Sequence, residues 1–281
     1  MLRDILVRLE DSPETEFALG AALLFAKGYG STVTGHYVRS LPPIAVLPES
    51  MGIPMASLAT SGYGLWPEDV QAVRVESERQ AAAFYSFEAA AERSGVPYRC
   101  EVGTGSAVAE LATRAGCVDL VVMPRGETDR GRVGFDVEAL VRAVGHPFLV
   151  ASESIESIAC IGVACDGSQG SIHALSLATD IVHHWKGKPP QVVLIEVVPQ
   201  GHGEGIALSA AGAYLELYGI PYRTVLAHGV PGDEIPAVAD REGVDLLCMG
   251  AYAHGVVRDY FLGSTTQAVI EHRRKPILLT H

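Results

Sequence analysis

Apolar and polar positions along the chain fall into two alternating textures. Short, almost wholly apolar runs such as "VVLIEVV" and "LLCM" are separated by longer stretches in which apolar residues recur every three or four positions. The first texture predicts strands buried on both faces and the second predicts amphipathic helices, so each half of the chain reads as βαβαβαβαβ. In the second half the strands are expected near 158–165, 191–198, 221–227, 244–250 and 276–280, and the helices near 168–185, 205–218, 232–242 and 264–273. Continuous apolar strands alternating with helices predict a doubly wound, parallel α/β sheet.

The pattern occurs twice. "DILVRLEDSPETEFALGAALLFA" from Asp4 parallels "ACIGVACDGSQGSIHALSLATDIV" from Ala159, and "AELATRAGCVDLVVMPRG" parallels "IPAVADREGVDLLCMGAY". "HPFLVAS" likewise parallels "KPILLTH". The chain is therefore expected to hold two tandem five-stranded parallel-sheet domains, residues 1–152 and 153–281. Ser12 and Ser168 lie 156 residues apart whereas Met123 and Met249 lie 126 apart. The first half thus has about thirty extra residues, assigned to the Pro- and Gly-broken stretch from Arg39 to Val70. That stretch reads either as an ordered surface loop or as a cover for a neighbouring chain or the first-half site.

Composition narrows the classes. With 48% hydrophobic and 19% charged residues, the 281-residue chain can bury two cores, and nothing suggests disorder. A net charge of −12 argues against a nucleic-acid surface. The one basic run, His272-Arg273-Arg274-Lys275, reads as cations at a helix C-terminus. Five cysteines without CxxC spacing read as free thiols in a reducing compartment. With neither a signal-peptide pattern nor an apolar run of spanning length, a soluble cytoplasmic protein without membrane contact is expected.

In an open doubly wound sheet, ligands bind beyond the carboxyl ends of the strands. In the second half this singles out Asp166-Gly167-Ser168 after the first strand and the stretch from Met249 after the fourth. If those strands are neighbours, the two loops line one crevice. Gly250 would permit a positive φ and close backbone approach. Gly263-Ser264-Thr265 opens a helix whose unpaired N–H groups favour a phosphate.

These features resemble the universal stress proteins, and the whole chain resembles the family's tandem form. ATP-binding members carry Gly, two residues, Gly, nine residues, Gly, then Ser or Thr. Here the frame is Gly250, Ala251-Tyr252, Ala253, the nine residues 254–262, then Gly263-Ser264, with Ala253 replacing the second glycine. The resemblance implies a Rossmann-like fold of the adenine nucleotide α-hydrolase type. It also implies a stress-related regulatory protein binding ATP, with or without Mg²⁺, or another adenine nucleotide. Carried over, Ala164, Cys165 and Asp166 would meet ribose and base, with Val197 holding the base. Met249 and Gly250 would line the fourth-strand end, and Ala253, His254, Gly263, Ser264 and Thr265 would surround the phosphates. A methyl at Ala253 would cost about 1–2 kcal/mol if that position needs positive φ.

The first half lacks this device. Pro124 stands at the place of Gly250, Glu127 at that of Ala253 and Val137 at that of Gly263, while Glu10-Asp11-Ser12 replaces Asp-Gly-Ser. Proline removes a donor, and the carboxylates of Glu127, Asp129 and Asp136 would repel phosphate, so no nucleotide is expected there. Arg125, Arg130 and Arg132 leave another anion open.

Other constellations read as structure. Ser168 is an N-cap rather than a nucleophile, as is Ser12 with Pro13 at the first helical position. His183 and His184 form a solvent-facing pair rather than a metal site. The absence of a Walker A lysine makes any ATP turnover slow. Two alternatives to nucleotide-dependent regulation stay open: an interaction module that binds no nucleotide, and a slow ATP-hydrolysing or transferring enzyme. The apolar strands "PFLVA" and "PILLT" are expected to join the halves across a pseudo-twofold, as the resemblance implies from the family's separate chains in dimers, and a homodimer of the whole chain stays open. No protein partner can be named.

Overall fold

The computed structural model describes residues 2–10, 12–39, 67–125, 135–200, 205–251, 263–273 and 275–281. The first half runs β1 (Asp4–Leu9), α1 (Thr15–Tyr29), β2 (Thr32–Arg39), α2 (Pro67–Ser94) and β3 (Tyr98–Thr104). It continues with α3 (Ala107–Ala115), β4 (Leu120–Pro124), α4 (Phe135–Ala143) and β5 (Phe148–Ala151). The second half repeats the order with β6 (Cys160–Ala164), α5 (Gln169–His184), β7 (Gln191–Val198), α6 (Ile206–Leu217) and β8 (Tyr222–His228). It closes with α7 (Pro231–Arg241), β9 (Leu246–Gly250), α8 (Ser264–His272) and β10 (Ile277–Thr280).

All ten strands form one sheet in the order β3-β2-β1-β4-β5-β10-β9-β6-β7-β8. Within each half every pairing is parallel, and the halves meet where β5 and β10 pair antiparallel, Leu149 opposite Leu278. Successive side chains on a strand point to opposite faces, which gives two cores. Ile5, Val7 and Leu9 pack toward α1 and α2, and Val163 and Leu194 toward α5 and α6. Leu6, Val121 and Val193 pack on the opposite face against α3, α4, α7 and α8. The halves also touch in the helical layer. Trp185, just after α5, meets Phe25 of α1 edge-on at 5.8 Å, and its ring lies where a Cβ on Gly28 would come within 2.6 Å. The hydroxyl of Tyr29 donates to Asp180 across the same seam.

A carboxylate anchors each half at matching places. Asp119 accepts from the N–H groups of Arg3 and Asp4, and Asp245 from those of Ala159 and Cys160. Each aspartate precedes the fourth strand of its half and ties it to the start of the first, which makes these two strands neighbours.

Two expectations need correction. Ser12 is not the N-cap of α1. Its carbonyl accepts from Thr15 at 3.1 Å and that of Pro13 accepts from Glu16, so residues 12–14 wind a tight turn before the helix begins at Thr15. Arg273 stands at the C-cap of α8, at the helix C-terminus as expected, and it is 0% exposed, with Nη1 2.9 Å from Asp240 and Nη2 donating to the Val244 carbonyl. Burial lowers its pKa against the pull of Asp240 and Asp245. Finally, α4 and α8 both span nine residues. Aligned on their starts, Val137 lies inside α4 opposite Thr266, and residue 134, outside the described residues, matches Gly263.

Ser168 does cap α5, accepting from the N–H of Ser171 at 3.1 Å. His183 and His184 are exposed, and His184 stacks on Tyr29 while His183 lies against Tyr218. Cys160, Cys165 and Cys248 are buried free thiols, Cys100 is half-buried and Cys117 is exposed. Among the described residues no helix is long and apolar enough to cross a membrane, and no group of three or more His, Cys, Asp or Glu could hold a metal ion.

Candidate functional site

β6 and β9 are neighbours in the sheet, and beyond their carboxyl ends opens a cavity of about 330 Å³. Its floor and walls are Ala164, Cys165, Ile195, Val197, Ile235 and Met249, and its rim carries Asp166, Ser171, Pro231, Gly250, Thr265 and Thr266. Seven of the eleven residues selected from the sequence thus line one space: Ala164, Cys165, Asp166, Val197, Met249, Gly250 and Thr265. Gly263 caps α8 and Ser264 is exposed at its first position, both off the lining. Ala253 and His254 lie outside the described residues.

The rim is shaped by local hydrogen bonds. Asp166 Oδ1 accepts from the N–H of Ser168 at 2.8 Å, which turns the chain from β6 into α5. The turn needs Gly167, whose φ of +76° is a left-handed conformation. Burial pushes the Cys165 thiol up to about 12, so it stays protonated and donates to the Val163 carbonyl.

Gly250 serves differently from expectation. It is not among the positive-φ glycines. It is needed because α5 starts directly against it: a Cβ on Gly250 would stand 3.0 Å from the Gly170 carbonyl carbon, and one on Gly170 3.0 Å from the Gly250 Cα. The glycine pair lets a helix start and a strand end meet backbone to backbone.

The amide supply is narrower than the glycine frame suggested. The N–H of Ala251 donates to the Thr280 carbonyl at 2.8 Å and that of Gly263 to the Ala251 carbonyl at 3.4 Å. The Thr266 hydroxyl donates to the Gly250 and Ala251 carbonyls, which fastens the start of α8 to the end of β9. Helix geometry leaves the first-turn amides of Ser264, Thr265 and Thr266 without intrahelical acceptors, and among the described residues no backbone carbonyl takes them. The described lining contains one carboxylate and no basic side chain. An anion here would therefore be met by helix-terminal dipoles, each contribution about 0.3–1 kcal/mol.

Four lining residues besides Thr266 escaped the sequence reading. Ile195 lies two positions before Val197 on β7, so the period-two rule puts both on one face. Pro231 and Ile235 are four apart on α7 and share a helix face. Ser171 sits one turn into α5 beside its cap. Each follows once one member of its element is placed.

The first half holds the same register with different side chains. Strand starts match Arg8 with Ala164, His36 with Ile195 and Glu10 with Asp166. Arg8 pairs with Glu10 at 3.1 Å. His36 is buried, with Nδ1 3.8 Å from Glu101 and neither ring nitrogen hydrogen-bonded. Burial lowers its pKa, against the opposing pull of Glu101 and Glu110. Large polar groups stand here where small or aliphatic ones line the second-half cavity. Arg125, at the end of β4, turns toward the other half and donates to the Glu271 carbonyl at 3.4 Å.

Residues 160–281 match the model of the Universal stress protein family. A universal stress protein of Synechocystis is 28% identical over 185 residues, covering 62% of this chain and 62% of the relative. One from Methanocaldococcus jannaschii is 35% identical over 65 residues, 23% of this chain and 40% of the relative. The chain thus spans about three fifths or less of the length of these two curated relatives. Among solved structures, a universal stress protein from Archaeoglobus fulgidus superposes with TM-score 0.74 at 18% identity, covering 99% of this chain and 95% of that one. A functionally unknown protein from Pseudomonas aeruginosa gives TM-score 0.66 at 16% identity, with 99% and 92% covered. The superpositions show the fold along the whole length, and the sequence matches are to universal stress proteins, with the family-model match lying in the second half.

Proposed function

We propose that the chain is a stress-related regulatory protein that binds an adenine nucleotide, ATP with or without Mg²⁺, in its C-terminal half. The observation that carries this reading is the convergence of Ala164, Asp166, Val197, Met249, Gly250 and Thr265 on one cavity between β6 and β9. Its chemistry fits the ligand. Apolar walls suit the two faces of a base, the free oxygen of Asp166 suits ribose hydroxyls, and the first turn of α8 presents N–H groups to phosphate. Its volume stands near the lower end of the range typical of small-molecule sites, about 300–1,000 Å³.

Binding without efficient catalysis is the expected behaviour, because the described lining brings no cation to stabilise a phosphoryl transition state. Ligation would stabilise the second half by mass action, about 2.7 kcal/mol at a hundredfold excess over Kd. Titration calorimetry with ATP and Mg²⁺ tests the reading: one nucleotide per chain and a rise in melting temperature are expected. No heat and no shift up to millimolar nucleotide would overturn it. Ala253→Gly should tighten binding by up to about tenfold if the methyl opposes positive φ there.

A further inference from the structure

The strongest asymmetry behind the cavity lies on the seam strand β10. Thr280 is buried, and its hydroxyl donates to the Gly170 carbonyl at 2.8 Å, with the Met249 carbonyl as a longer second acceptor at 3.4 Å. Its own carbonyl takes the N–H of Ala251. One residue therefore grips both walls of the crevice from behind, the first turn of α5 and the end of β9. That contact is what the Gly170–Gly250 pair makes room for.

In the first half the same register puts Ala151 beside Pro124, as Thr280 stands beside Gly250. Glu14 stands at the place of Gly170. The hydroxyl and both glycines are missing together, and α1 begins at Thr15, two residues later in the repeat than α5 at Gln169. Among the described residues, the lock occurs in the second half, directly behind the β6–β9 cavity.

We propose that Thr280 is a positioning residue for the nucleotide site: by fastening Gly170 against Gly250, it fixes the Asp166–Ser168 turn over the cavity. The proposal rests on the adenine-nucleotide reading above. Thr280 touches no ligand in it and acts through the turn.

Thr280→Val keeps the shape and removes the donor, whereas Thr280→Ser keeps the donor. One buried hydrogen bond corresponds to about three- to tenfold in affinity. Thr280→Val should weaken ATP binding by that factor in titration calorimetry and speed amide hydrogen exchange across 166–172. Thr280→Ser should restore both, and Ala151→Thr in the other half should change neither. Unaltered affinity and exchange in Thr280→Val overturns the proposal, and so does a Thr280→Ser variant that behaves like Thr280→Val. If the unsubstituted chain takes up no ATP, the nucleotide reading fails by itself, and the exchange comparison still decides whether Thr280 holds the turn.

Discussion

The two halves share strand order, helix order and the aspartate that anchors the first strand, yet among the described residues their cavities differ: that of the second half opens between the ends of β6 and β9, whereas one of about 330 Å³ in the first half lies between the end of β1, the start of α1 and α2, lined by Leu9, Glu10, Ser12, Arg79 and Phe87. The difference comes down to a few side chains. Ala164, Ile195, Gly170, Gly250 and Thr280 stand where the first half has Arg8, His36, Glu14, Pro124 and Ala151. Small groups at the helix start let α5 close on β9, and small or aliphatic groups on β6 and β7 leave a hole in front of them. In the first half α1 starts two residues later in the repeat, and Arg8 and His36 stand at the register positions of Ala164 and Ile195. The same scaffold thus places its space differently according to which side chains are small at the strand ends and helix starts.

The comparison can be broken hardest at its closest contact. Gly250→Val would drive a branched side chain into the Gly170 backbone at 3.0 Å. A loss of about 3 kcal/mol in chemical denaturation and of measurable ATP binding is expected. Pro124→Gly at the matching place should stay within about 1 kcal/mol. Equal costs would show that the glycine contact is not what distinguishes the halves.

A second asymmetry lies at the end of α8, where Arg273 is buried and its first-half counterpart is Val144. Asp240→Ala would leave a fully buried guanidinium with the Val244 carbonyl and without its closest carboxylate. Because Asp240 is itself largely exposed, the expected cost is about 2 kcal/mol, below the usual range for breaking a buried pair.

Making the first half more like the second gives a smaller effect of opposite sign. His36→Ile copies Ile195 and removes two buried nitrogens that make no hydrogen bond, which should stabilise the chain by about 1 kcal/mol. The same substitution tests a pH effect. The folded pKa of His36 is depressed, so its contribution to stability is present in full above the unfolded value of about 6.5. It is lost as pH falls through the folded value, since the unfolded chain binds the proton first. Stability should decline with acidification in the unsubstituted chain, and less so in His36→Ile. Identical slopes would remove His36 from the account.

Much of the fold was legible because the relevant signals are local. The five second-half strands fall within two residues of their expected ends, since short, mostly apolar, Val- and Ile-rich runs bounded by polar turns favour strands over helices. The register of the repeat is carried by the pairs Ser12 and Ser168, Met123 and Met249. The cavity was legible through loop position. What stayed hidden depends on contacts between distant segments. The role of Gly250 is set by Gly170, eighty residues earlier, and that of Thr280 by both. The helix-terminal place of Arg273 was legible but its burial was not, because nothing nearby in sequence announces Asp240 and the Val244 carbonyl as its partners. Ser12 misled because Pro13 begins a tight turn as readily as a helix.

The antiparallel meeting of β5 and β10 has one more consequence. Two separate chains joined edge to edge come apart on dilution, and their junction is only as occupied as their concentration allows. Here a peptide tether runs from Ser152 to Ala159, so the effective local concentration is set by linker reach and not by abundance. The crevice wall that Thr280 braces from that junction therefore keeps its support even when copies are scarce.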